Sequence, residues 1–140
     1  MRRVFSILVV IGVLGAFVSG GSQAGTTYAI KFKVSNAACY DSLDFTIDYS
    51  AANGAFLGAA DAVQCTTNAT LNATGVYNHV YPNIRSGMMR LTTFAGPVVL
   101  VTCDFYSFAG TPTANQFVIT VRDWTPATSP SPTIVVSSIQ

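Results

Sequence analysis

Val98-Val99-Leu100-Val101-Thr102-Cys103-Asp104-Phe105-Tyr106-Ser107-Phe108 is the stretch whose reading decides the fold. It is long, β-branched and aromatic, with Gly96-Pro97 before it and Gly110-Thr111-Pro112 after it, which is the composition and punctuation of a strand. Its first four residues are apolar at both parities, and its middle carries a cysteine. A strand with that pattern is expected at the centre of the molecule, buried between two layers and pinned by a covalent bond.

The neighbouring segments read as layers around it. Tyr28, Ile30, Phe32 and Val34 alternate with Lys31 and Lys33, and Leu43, Phe45, Ile47 and Tyr49 alternate with Asp44, Thr46 and Asp48. Two strictly alternating runs predict an antiparallel sheet with one wet side. Between them, Ser35 to Ser42 reads as a turn. Ala51 to Ala60, around Asn53-Gly54, reads as a loop with Phe56-Leu57 as an apolar plug. Further strands are expected at Asp61–Thr66, Tyr77–Tyr81, Met88–Phe94 and Gln116–Trp124, the last with Phe117, Ile119 and Val121 on one face. Pro126, Pro130 and Pro132 make a Pro/Ser-rich segment near 125–132 extended and non-helical, and Ile134-Val135-Val136 reads as a last edge strand or the start of a tail. No window shows a capped 3.6-residue period. The expected fold is therefore all-β, a two-layer antiparallel β-sandwich of the cohesin-like or immunoglobulin-like kind.

The first 24 residues are of another character. Arg2 and Arg3 precede an apolar run from Val4 to Val18, and Ser22-Gln23-Ala24 offers small residues to a signal peptidase. A cleaved signal peptide over 1–24 and a single domain over 25–140 are expected; the apolar run is shorter than the ~20 residues that span a bilayer. The location this implies is secreted, extracellular or cell-surface, with the periplasm as the alternative, and contact with a membrane only through export. From Gly25 onward, Lys31, Lys33, Arg85, Arg90 and Arg122 stand against six aspartates and no glutamate, a formal charge of −1. Such sparse, balanced charge gives no footprint for nucleic acid.

Cys39, Cys65 and Cys103 meet an oxidising compartment if the leader exports the chain, so a disulfide is the default. Cys65 and Cys103 are the expected pair, because both lie within apolar strand patterns. Closing that loop stabilises by roughly 4 kcal/mol in the chain-entropy model. Cys39, beside the expected turn, is left as a buried thiol, an alternative partner or an intermolecular half-bridge.

The run Leu43 to Ser50, reading Leu-Asp-Phe-Thr-Ile-Asp-Tyr-Ser, resembles the strand of cohesin-like domains in which alternating apolar residues lead to Tyr and then Asp or Ser before a Gly-containing loop. Ile30–Val34 is similar to the first strand of that fold, and Met89–Phe94, Val99–Phe105 and Phe117–Val121 to its later core strands. The Cys65 and Cys103 pair departs from cohesins and looks more like small exported bacterial relatives. Cohesins bind dockerin modules; the resemblance implies a sandwich fold and an adhesive function, with no dockerin-contacting residue carried over.

Chemistry-bearing residues are few. His79 is the only histidine, which excludes a multi-histidine metal site and makes a structural or solvated imidazole the expected reading. Asp41, Asp44 and Asp48 are oxygen donors of the kind calcium takes, yet Asp44 and Asp48 sit about 13 Å apart on one strand, so a wet face is expected instead. Without glutamate, paired carboxylates for glycoside hydrolysis are not found. No catalytic, cofactor or metal residue is assigned. Tyr77, Tyr81, Tyr106 and Trp124 are the candidate ligand-stacking aromatics for a sugar or protein surface. Asn68-Ala69-Thr70 and Asn72-Ala73-Thr74 match the N-glycosylation pattern. The expected function is a secreted or surface non-catalytic binding or adhesion domain that recognises a protein module or a polysaccharide. The alternative is a structural subunit of an extracellular fibre or matrix, self-associating through edge strands or Cys39. A secreted hydrolase is the least supported.

Overall fold

The computed structural model describes residues 24–140, so the expected signal segment lies, but for Ala24, outside the described residues. Among the described residues nine strands follow in chain order: β1 Thr26–Val34, β2 Cys39–Asp48, β3 Gly54–Phe56, β4 Cys65–Thr67, β5 Thr74–Val80, β6 Asn83–Ala95, β7 Val98–Ser107, β8 Val118–Thr125 and β9 Ile134–Ile139. They form two antiparallel sheets. One has the order β3-β7-β1-β9, with β4 also pairing β7, and the other the order β5-β6-β2-β8. The two sheets pack face to face as the expected all-β sandwich, with β5 lying over β4 and β8 over β9.

Alternation explains the core. Ile30, Phe32 and Val34 of β1 and Leu43, Phe45 and Ile47 of β2, followed by Tyr49, point inward and are buried, while Lys31, Lys33, Asp44, Thr46 and Asp48 stay partly in water. Phe56, Phe105 and Phe117 meet edge-on in the middle, with centroids 5.0 Å apart for Phe56 and Phe105 and 5.3 Å for Phe105 and Phe117. Each buried ring is worth about 1.5–3 kcal/mol of transfer free energy, so this cluster contributes heavily to the stability of a domain this small.

The decisive strand is central in its sheet but not buried on both faces. Phe32 pairs with Val101 and Lys33 with Val99, which leaves Leu100 as an extra residue on β7. That bulge lets Leu100 and Val101 both bury fully in succession, after which Val101, Cys103, Phe105 and Ser107 keep strict alternation. The apolar residues at both parities therefore mark a bulge, and Thr102, Asp104 and Tyr106 face outward. Bulges also interrupt β9, where Ser137 is unpaired, and β8, where Arg122 is unpaired.

Several boundaries differ from expectation. β2 begins at Cys39, so Tyr40 is a fully buried core residue where a turn was expected. The Asn53-Gly54 loop contains β3, whose residues pair with Phe105–Ser107. The segment 126–133 is an ordered crossover: the Tyr40 hydroxyl donates to Pro130 O at 2.9 Å, Ser129 Oγ to Cys39 O at 2.7 Å and Trp124 Nε1 to Ser129 O at 3.0 Å. It delivers the chain to β9, an edge strand rather than a tail.

Cys65 and Cys103 are disulfide-bonded at directly paired positions of β4 and β7. The bridge closes a loop that contains β5 and β6, and so ties the short strand β4 to the sheet that the chain leaves for the other layer. Cys39 is a free, exposed thiol at the start of β2.

Candidate functional site

The outer face of β5-β6-β2-β8 carries a groove of about 410 Å³. Its construction follows from register. Val76 pairs with Gly87, Gly87 with Asp44, and Asp44 with Asp123, so these four form one row across all four strands. The next row on one side is Thr74, Met89, Ser42 and Thr125, and on the other Asn78, Arg85, Thr46 and Thr120. Gly87 thus sits in a pit one side chain wide, walled by Val76, Asp44, Arg85 and Met89. Val76 is 56% and Met89 68% exposed, two apolar side chains held out in water beside the pit.

Gly87 has no structural reason to be glycine. Elsewhere the reason is visible: a Cβ at Gly25, Gly54, Gly58, Gly75 or Gly96 would collide with neighbouring atoms, and Gly110 has a φ of +74°. At Gly87 a Cβ would meet nothing within 4 Å, its φ lies outside the left-handed region, and its ladder to β2 runs without a bulge from Met89 to Asn83. Glycine inside a strand marks a bulge, a bend or a place where another group approaches closely, and it weakens the strand. The register of β6 on β2 breaks beyond Gly87, between Met89 and Phe94, so Gly87 itself lies in the regular part of the ladder, and its open face leaves room for another group to approach.

The electrostatics of the groove are lopsided. Asp44 and Asp123 are directly opposed carboxylates, an arrangement that repels across a ladder. Arg85 Nη2 reaches Asp44 Oδ2 at 3.3 Å, with the guanidinium side chain 55% exposed, so this ion pair contributes at most about 1 kcal/mol. Asp44 Oδ1 is shielded from water and has no hydrogen-bond partner among the described residues. Asp123 Oδ1 accepts from its neighbour's backbone, Trp124 N, at 2.9 Å. Two carboxylates and one guanidinium leave the groove a formal charge of −1.

The aromatics singled out from sequence do not assemble into one surface. Tyr77 and Trp124 turn inward, because their ladder partners Ser86 and Leu43 are buried positions. The Tyr77 hydroxyl is hydrogen-bonded to Thr67 Oγ1 at 2.6 Å, and burial raises its pKa above 10.0. Trp124 packs against the core at the β8 edge. Tyr81 is exposed at the β5–β6 turn, and Tyr106 lies on the outer face of the other sheet with Phe108 5.8 Å away. Among the described residues that line the groove at Gly87, none is aromatic.

His79 is committed elsewhere: its Nε2 is hydrogen-bonded to the hydroxyl of the buried Tyr49, whose ring stacks on the imidazole with centroids 5.9 Å apart. Burial first, and Tyr81 nearby second, push the Tyr49 phenol above its ordinary pKa. Asp48 Oδ1 accepts from Ser50 N at 2.8 Å, which lowers its pKa. Asp41, Asp44 and Asp48 do not converge, and no group of three or more metal-ligating side chains gathers among the described residues. Of the two glycosylation patterns, Asn68 spends its amide on Val99 O at 2.8 Å and its carbonyl on Thr70, whereas Asn72 is exposed.

The strand expected from sequence begins at Met88, whereas β6 begins at Asn83, so Gly87 falls inside a strand that its turn-like neighbours Pro82-Asn83 and Ser86 concealed. The signal was nonetheless present: Ile84, Ser86 and Met88 alternate with Arg85, Gly87 and Met89, which places a lone glycine at an outward position in mid-strand. The chain matches no protein-family model, and neither curated proteins nor solved structures show a significant similarity to it.

Proposed function

We propose that this chain is an exported, non-catalytic binding module that recognises its partner through the outer face of β5-β6-β2-β8. The observation that carries the reading is Gly87, a glycine which local geometry does not require, in a pit flanked by exposed Val76 and Met89. A strand forgoes side-chain packing there, and the loss is intelligible where something else fills the pit. The leader-like N-terminus and the Cys65–Cys103 bridge support an oxidising, extracytoplasmic location. Adhesion is also the style of function implied by the resemblance of Leu43–Ser50 and its flanking strands to cohesin-like sequences, which we retain as a proposed relationship.

Hydrolysis finds less support. A catalyst needs an acid or base poised at a cleft, whereas His79 is hydrogen-bonded to Tyr49, Asp44 is paired with Arg85 and Asp123 accepts from the backbone of Trp124. The test is retention of the purified mature domain on a panel of polysaccharides, dockerin-like modules and cell envelopes, run beside Met89→Ala and Tyr81→Ala. Retention that falls with Met89→Ala and survives Tyr81→Ala supports the groove. Turnover of a glycan or peptide that disappears in His79→Ala would show the module to be an enzyme.

A further inference from the structure

We infer that the Gly87 pit receives a basic side chain of a protein partner, lysine or arginine, with its methylene stem along Val76 and Met89 and its cationic head at Asp44 and Asp123. This rests on the binding reading above and deepens it. Four observations converge. The pit is the width of one side chain, since its walls are the immediate ladder and strand neighbours of Gly87. Two of those walls are aliphatic and flexible or branched, which suits the stem of a lysine or arginine; such stems bury while their heads stay polar.

The third observation is charge. Asp44 and Asp123 oppose one another across the β2–β8 ladder, and Arg85 neutralises only one of them. An incoming cation at this row relieves the repulsion, and a charge-assisted bond is stronger than a neutral one. Asp44 Oδ1 is closed off from solvent, so the accessible acceptor of the row is the exposed Asp123, whose hydrogen bond among the described residues is the one from Trp124 N to Oδ1. The fourth is what the groove lacks: with no aromatic face along it, a flat sugar ring finds nothing to stack on.

The test uses the mature chain and four blocked pentapeptides that differ only in the central residue, which is lysine, arginine, norleucine or glutamate. Binding is read by NMR at the Gly87 amide and the Val76 and Met89 methyl groups. The lysine and arginine peptides are expected to shift these signals saturably, with Kd about fivefold below that of the norleucine peptide, and the glutamate peptide to leave them in place. Asp123→Asn, alone or with Asp44→Asn, should bring lysine and norleucine together. Gly87→Val, whose Cβ meets no atom within 4 Å, should abolish every shift while the remaining spectrum is unchanged. Equal Kd for lysine and norleucine in the wild type would overturn the basic side chain and leave the binding face standing. Silence at all three positions with every peptide would overturn the inference, and the face with it if a ligand retained by the wild type is retained equally by Gly87→Val.

Discussion

Single residues decide most of what is particular to this domain, and the cysteines are the clearest case. Cys103 is fully buried and bonded to Cys65, while Cys39 is exposed. Cys103→Ala should lower stability by about 2–5 kcal/mol in denaturant titrations under non-reducing conditions, and Cys39→Ala should stay within about 0.5 kcal/mol; a peptide map joining Cys39 to either other cysteine would contradict this. Gly87 makes the opposite kind of prediction. The Cβ of a valine there meets no atom within 4 Å, and the change replaces the residue with the most backbone entropy to lose, so Gly87→Val should leave stability unchanged or raise it by up to about 1 kcal/mol. A fall of more than that in the unfolding free energy would mean that the pit is not free. The buried phenols set a limit at high pH. Tyr49 and Tyr77 have pKa values raised above the 10.0 of an exposed tyrosine, chiefly by burial, so folding favours their neutral form. The stability they contribute is complete below pH 10 and is lost as pH rises through their folded pKa values. Absorbance titration should show their ionisation after that of a free phenol, and Tyr49→Phe or Tyr77→Phe should remove that late component.

At the scale of elements, strands with one clean period were legible, and those shaped by a neighbour were not. β1 and the second half of β2 announce themselves by strict alternation, and the inward residues read there lie in the core, except Tyr28, which stays partly exposed at the start of β1 with its hydroxyl hydrogen-bonded to Thr111 Oγ1. β7 was read as the centre of the molecule, and so it is within its sheet. Its two-parity opening was harder: a bulge and burial on both faces leave the same apolar run, and only the partner strand distinguishes them. β3 and the first residues of β2 were missed for a related reason. Gly54-Ala55-Phe56 has too little character to be a strand until β7 offers it an edge, and Cys39-Tyr40 follows turn-forming residues yet pairs with Ala95-Phe94. The aromatic candidates failed to assemble because one-dimensional order does not reveal which side of a ladder a residue takes; Tyr77 and Trp124 take the inner side. Leu100, the extra residue of β7, is fully buried, and Leu100→Ala should cost about 2–5 kcal/mol, measured by chemical denaturation. A loss under 1 kcal/mol would mean that the bulge does not seat it in the core.

For the whole molecule, the question is whether its open edges or its sheet face meets the outside world. β8 and β9 are the exposed edges on one side of the sandwich, and each carries a bulge, at Arg122 and Ser137, of the kind that discourages strand addition. Sedimentation of the mature chain in reducing buffer should therefore show a monomer, whereas concentration-dependent growth abolished by a proline in β9 would favour a fibre subunit. The outer face of β5-β6-β2-β8 is the surface where the chain departs from what its own fold needs. The most direct test of that claim compares wild type and Gly87→Val for affinity toward a ligand retained by the mature domain, with the thermal midpoint of both measured alongside. The account predicts an equal or higher midpoint for the variant and an affinity lower by about 100-fold or more, as for loss of a central hot spot. Undiminished affinity in a fully folded Gly87→Val protein would contradict it.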